Sequence, residues 1–102
     1  MDKNQVAQTI VQQLGAWRFV VMTGAKLFSV LSEGGVQFSL PSNSALQSIN
    51  RVSIVLTPAD LYDITFSRVR GVEVKEVAKY RGIFFDQLQL LFTSVTGLAT
   101  RL

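Results

Sequence analysis

Three stretches of this chain alternate apolar and polar residues with a period of two, and each offers one consistently apolar face. Val36, Phe38 and Leu40 alternate with Gln37 and Ser39; Val52, Ile54 and Leu56 oppose Ser53 and Thr57; Tyr62, Ile64 and Phe66 oppose Asp63, Thr65 and Ser67. A period of two puts successive side chains on opposite faces of a strand, so each segment reads as a half-buried strand. Such strands build an antiparallel sheet with one face needing a cover.

The two ends of the chain supply that cover. Residues 3–14 have apolar positions at helical spacing, Val6, Ala7, Ile10, Val11 and Leu14, with Asp2 and Gln5 forming a capping-box pattern and Gly15 as terminator. Residues 84–96 repeat the pattern, with Phe84, Leu88, Leu91, Phe92 and Val95 on one stripe and Gly97 after it. Leu90 falls on the outward side of this second helix, beside Gln87, Gln89, Ser94 and the single charge of Asp86. Residues 17–22 read as a buried strand, with Trp17, Phe19 and Val21 inward; residues 27–31 fit a short strand or a helical turn equally well. Turns are signalled at 23–26, at 32–35, and at Thr57-Pro58-Ala59-Asp60, where proline takes the position a type I turn favours. Residues 42–48 make the longest loop.

The hairpin around Arg70-Gly71 has two candidate registers. A three-residue loop, Val69-Arg70-Gly71 with Gly71 left-handed, sets Phe66 opposite Val74, Ile64 opposite Glu76 and Tyr62 opposite Ala78. It separates polar from apolar faces better than a two-residue loop of Arg70 and Gly71, leaving Glu76 as the one misfit. The expectation is therefore one α+β domain over residues 1–102. It has two layers: an antiparallel sheet of four or five strands, and an N-terminal and a C-terminal helix on one face. Gln37, Ser39, Ser53, Thr57, Thr65, Ser67, Lys75 and Lys79 would line the open face.

The chemistry is bounded by what is missing. The 102 residues include no histidine and no cysteine. The commonest general base, the thiolate nucleophile and the soft-metal ligands are thereby absent, leaving only hard oxygen sites. Asp60 and Asp63 are the one close carboxylate pair, and they read as a turn residue and a solvated strand residue. A non-enzymatic protein without cofactor or metal is expected. The longest apolar run is broken by Arg18, Lys26 and a turn, so no membrane span is expected, and Asp2 beside Lys3 does not resemble a secretory leader. These features predict a cytoplasmic protein.

Ten basic and seven acidic side chains give a net charge of +3, a small excess for a nucleic-acid binder. The candidate partner-binding residues are Arg51, Arg68, Arg70, Lys75, Lys79 and Arg81. Arg68 and Arg70 share one hairpin end, where guanidinium groups can meet phosphate or carboxylate bidentately. Arginines at hairpin tips are more often merely solvated. Base stacking on the open face is disfavoured, because the strand aromatics fall on the core side.

Met22-Thr23-Gly24-Ala25-Lys26, residues 56–63 from Leu56 to Asp63, Arg68-Val69-Arg70-Gly71 and Thr96-Gly97-Leu98-Ala99-Thr100, in this order and spacing, resemble a family of small uncharacterised proteins carried by bacteriophages, prophages and plasmids. The resemblance spans nearly the whole chain and implies a context, the host bacterial cytoplasm, rather than a mechanism. The expectation is an accessory protein that binds a phage or host protein. Nucleic-acid binding through the basic hairpin and sheet face is the alternative. The apolar share of 48% and the outward Leu90 predict self-association into a homo-oligomer.

Overall fold

The computed structural model describes residues 2–100. Its elements are α1 (Lys3–Leu14), α2 (Ala16–Thr23), β1 (Lys26–Leu31), β2 (Gly35–Ser39), β3 (Arg51–Leu56), β4 (Tyr62–Arg70), β5 (Glu73–Ile83) and α3 (Leu88–Thr96). The strands form one antiparallel sheet in the order β1-β2-β3-β4-β5, and the helices pack on one of its faces. The α+β architecture expected from the sequence is therefore the one observed.

Helix α1 starts and stops where its residues dictate. The Gln5 backbone N–H donates to Asp2 Oδ1 at 2.8 Å, and the Asp2 N–H donates to Gln5 Oε1 at 3.2 Å. Two otherwise orphaned donors are thus satisfied. Val6, Ala7, Ile10 and Leu14 are buried on its inner face, and Gly15 ends the helix.

Residues 17–22 are not a strand. They lie in α2, and Trp17, expected in the core, is 75% exposed. The run Phe19-Val20-Val21-Met22 is apolar throughout, so alternation there carries no period that separates strand from helix. Side-chain and backbone hydrogen bonds close the helix at its end. The Thr23 hydroxyl donates to the Phe19 carbonyl at 2.7 Å and accepts the Ala25 N–H at 3.2 Å, while Gly24 takes the left-handed cap. Only Phe19 and Thr23, one helical turn apart, are buried. The ambiguous residues 27–31 form the edge strand β1, which makes up the fifth strand.

Phe19 anchors the interlayer core. Its ring meets Phe38 edge-on at 5.3 Å and Phe92 at 5.1 Å, and Phe92 also approaches Phe66 at 6.5 Å. Edge-to-face pairs of this kind add to the burial of each ring. Val36, Val52, Ile54, Ile64 and Phe66 carry the sheet side of the same core, and Leu88 and Phe92 carry the α3 side. Helix α3 is shorter than the spacing suggested. Strand β5 runs on to Ile83, paired with Tyr62, and a 3-10 turn at Phe85–Gln87 precedes the α-helix, so Phe84 is exposed and leaves the stripe.

The hairpin register differs from the three-residue loop. Arg70 pairs Glu73, Val69 pairs Val74, Arg68 pairs Lys75, Ser67 pairs Glu76, Phe66 pairs Ala78 and Ile64 pairs Tyr80. The loop is Gly71-Val72, with Gly71 at φ 59°. A glycine first in a two-residue loop is what a type II′ turn requires. An irregularity opposite Phe66 and Ser67 leaves Val77 as an extra residue. The two-residue loop sets Glu76 beside Ser67 and the extra residue brings Ala78 and Tyr80 to the core side, so the misfit of Glu76 disappears.

Candidate partner-binding surfaces

The register regroups the basic side chains. Arg68 and Lys75 face each other across β4 and β5, whereas Arg70 sits opposite Glu73. Lys75 was expected beside Thr65 on the open face; Lys79 takes that position instead. Arg51 pairs Ser39 on one side and Ser67 on the other, a row that continues to Glu76. Arg81 lies near the far end of β5, about 20 Å of strand from Lys75. Glu73 and Glu76 interrupt the series. The six candidates form one tight group, Arg68, Arg70 and Lys75, and three separate cations.

Arg68 and Arg70 of this group line a polar hollow of about 240 Å³ together with Ser42, Asn43, Ser48 and Asn50. Asn50 builds its wall: its Nδ2 donates to the Val69 carbonyl at 2.9 Å and its Oδ1 accepts the Val69 N–H at 2.8 Å. The side chain thus extends the β3–β4 ladder past the start of β3, while the Asn50 backbone N–H still donates to the Ser67 carbonyl at 3.0 Å. Asn43, Gln47 and Ser48 in this loop hold positive φ. Arg68 is half-buried and Arg70 exposed. The arrangement offers two guanidiniums to one anionic group.

The open sheet face is polar as expected over its central row, Gln37, Ser53, Thr65 and Lys79, with the Ser53 hydroxyl donating to Gln37 Oε1 at 3.1 Å. A depression of about 400 Å³ runs over it, flanked by Glu33 and Asp63. Asp63 accepts the Gly82 N–H at 3.2 Å, and Asp60, at φ 61°, closes its turn by donating its N–H to the Thr57 carbonyl. The Asp63 carboxylate thus braces β5, whereas Asp60 serves its turn through the backbone. On the opposite, core side, the Tyr62 hydroxyl donates to Gln13 Oε1 at 2.7 Å. Burial pushes this phenol above the ordinary tyrosine value, the bond to Gln13 opposes that, and the Asp60 charge adds to the rise. Among the described residues no group of three or more carboxylates is placed to hold a metal ion.

Several large apolar side chains are exposed. Leu90 is 73% exposed, and Phe84 and Phe85 stand exposed in the segment leading into α3. The fold does not bring residues 27–31 over Leu90, since they form β1 at the sheet edge. A second set of exposed apolar side chains, unread in the sequence, comprises Trp17 and Val21 on α2 and Leu27, Phe28 and Val30 on β1. Its one sequence signal was the i, i+4 spacing of Trp17 and Val21. A groove of about 470 Å³ separates β1 from α1, bordered by Ala7, Val11, Phe28, Val30 and Val36.

No family model, curated protein or solved structure matches the chain. Among the described residues no helix is long and apolar enough to cross a membrane.

Proposed function

We propose that this is a non-enzymatic accessory protein of a bacteriophage or another mobile element, acting by binding a phage or host protein. The genetic context rests on the resemblance described above. The mode of action rests on one observation: Phe84, Phe85 and Leu90 are exposed within seven residues that carry a single charge, Asp86. Exposed aromatic and aliphatic side chains with little charge between them have the composition of an interface centre. The test is affinity isolation from infected or lysogenic cells, followed by titration of the purified partner. Phe85→Ser/Leu90→Ser should weaken that binding at least about tenfold while leaving circular dichroism unchanged. Undiminished binding by the variant, or no protein retained by the wild type, refutes the reading.

A second reading, nucleic-acid binding, is favoured by Arg68 and Lys75 standing directly opposite each other. Like charges in that relation destabilise a sheet, and a phosphate between them would remove the cost. Affinity for DNA that falls linearly with the logarithm of salt, with a shallower slope in Arg68→Gln/Lys75→Gln, supports it.

A further inference from the structure

The two edges of the sheet are built in opposite ways. Edge strand β5 carries Glu73, Lys75, Glu76, Lys79 and Arg81, and its ladder with β4 is interrupted twice. Charges and bulges of this kind stop an edge from pairing with another strand. Edge strand β1 has one charge, Lys26 at its start, and then exposes Leu27 (73%), Phe28 (39%) and Val30 (47%). Its regular ladder covers Ser29, Val30 and Leu31, paired with Gln37, Val36 and Gly35, after an irregularity at Leu27. An unpaired, apolar edge is a template for a further strand.

We propose that β1 pairs antiparallel with β1 of a second copy, about a two-fold axis through Ser29, joining two five-stranded sheets into one. The choice of a second copy rests on charge. Between Arg18 and Arg51 the chain has two charged residues, Lys26 and Glu33, one at each end of the β1 segment. An antiparallel two-fold brings opposite ends together, so Lys26 of each copy meets Glu33 of the other. Parallel pairing would set like charge beside like.

The register follows from the faces. A two-fold axis perpendicular to the sheet keeps core-side residues on the core side, so residues in register must belong to the same face. Phe28 and Val30 are on the core side: Phe28 lies 5.2 Å from Phe38 between ring centres, and Val30 pairs Val36. Centring on Ser29 sets Phe28 opposite Val30 of the second copy, twice, and buries both apolar pairs. Centring on Val30 would set Phe28 against Ser32 and waste it. The extra residue at Leu27 places Lys26 opposite Leu31 of the second copy, beside the 32–34 turn that carries Glu33, within reach of the long lysine side chain. On the core side the two grooves beside α1 meet, and Val11 and Ala7 of each copy roof the joined row. This surface is separate from the Phe84–Leu90 surface, and its test uses the purified protein alone.

The chain has no cysteine, so Ser29→Cys introduces the one thiol. Residues directly opposite in antiparallel strands have the Cα spacing a disulfide needs, about 4.5–5.5 Å. Light scattering at micromolar concentration should give the wild type a mass of twice 11.3 kDa, and Ser29→Cys should oxidise to a covalent dimer while Ser53→Cys, two strands inward, does not. Lys26→Glu or Glu33→Lys alone should weaken the dimer about tenfold, and Lys26→Glu/Glu33→Lys together should restore it. Val30→Lys, at an exposed position, should give a folded monomer. A wild-type mass that stays at 11.3 kDa, equal oxidation of the two cysteine variants, failure of the double charge swap to restore dimer, or a dimer that survives Val30→Lys overturns the proposal.

Discussion

Replacing Gly35 by alanine is the sharpest test of the sheet geometry. Gly35 opens β2 opposite Val55 and belongs there for lack of space rather than for a special backbone conformation. A Cβ at this position would run into the Ile54 carbonyl oxygen and stand 2.8 Å from the Val55 Cα, whereas ordinary contacts lie at 3.4–4 Å. Both obstacles are backbone, so no side-chain rotation relieves them; β2 must move off β3. Overpacking of this sort costs about 1–3 kcal/mol, and loosening one or two ladder hydrogen bonds adds about 1 kcal/mol each. The expected loss is therefore about 3 kcal/mol. Gly71→Ala is the matched control, because nothing lies within 4 Å of its Cβ and the positive φ is the whole cost. That cost is about 1–2 kcal/mol, and Gly71→Val exceeds it, since a β-branched residue tolerates the conformation worse. With a urea slope of about 1–1.5 kcal/mol per molar for a domain of this size, Gly35→Ala should lower the denaturation midpoint by about 2 M and Gly71→Ala by about 1 M. Equal shifts, or a milder effect at Gly35, would refute the close approach of β2 to β3.

Phe92→Ala removes the ring shared by Phe19, Phe38 and Phe66 and should cost about 3–5 kcal/mol in urea unfolding, against about 1.5 kcal/mol for Phe92→Leu; similar values for the two would mean that the aromatic cluster does not form. The Tyr62 phenol is raised in the folded protein, so its contribution is fully present below the unfolded value near 10 and is lost as pH rises through the folded one. The wild-type urea midpoint should accordingly fall more steeply than that of Tyr62→Phe above about pH 10, and parallel curves would contradict a buried phenol. EDTA should leave the melting temperature unchanged, because histidine and cysteine are absent and the described carboxylates do not cluster; a lowered value would reveal a hard-cation site.

What the sequence made legible was whatever one residue's chemistry decides locally. The Asp2–Gln5 box, the terminators Gly15 and Gly97, the turn at Pro58 and the inward faces of β2, β3 and β4 all fall in this class, and each could be read without knowing its neighbours in space. Helix α2 does not. Five of the six residues from Trp17 to Met22 are apolar, so neither a period of two nor one of 3.6 is visible. Its helical state is set by what lies around it: Gly15 and Gly24 bound it, and a single side chain, Phe19, fills the space between Phe38 and Phe92.

The basic residues show the same division more sharply. That Arg68, Arg70, Lys75, Lys79 and Arg81 lie on two consecutive strands follows from alternation and the Gly71 turn. Which of them meet follows from register, and register was inferred by asking that polar and apolar faces separate under a constant parity. One extra residue, Val77, breaks that parity. The two-residue loop turns Lys75 from a neighbour of Thr65 into the neighbour of Arg68, and the bulge beyond it gives Thr65 to Lys79, which leaves one compact group at the hairpin end and a few isolated cations. Loop length and one bulge together thus decide whether this sheet presents a basic stripe or a basic point. The observed point, Arg68 and Arg70 lining a hollow of about 240 Å³ with Lys75 opposite Arg68, has room for one anionic group. A continuous backbone of phosphates would need the cations that β5 instead separates with Glu73 and Glu76, which favours the proposal of protein binding over that of nucleic-acid binding.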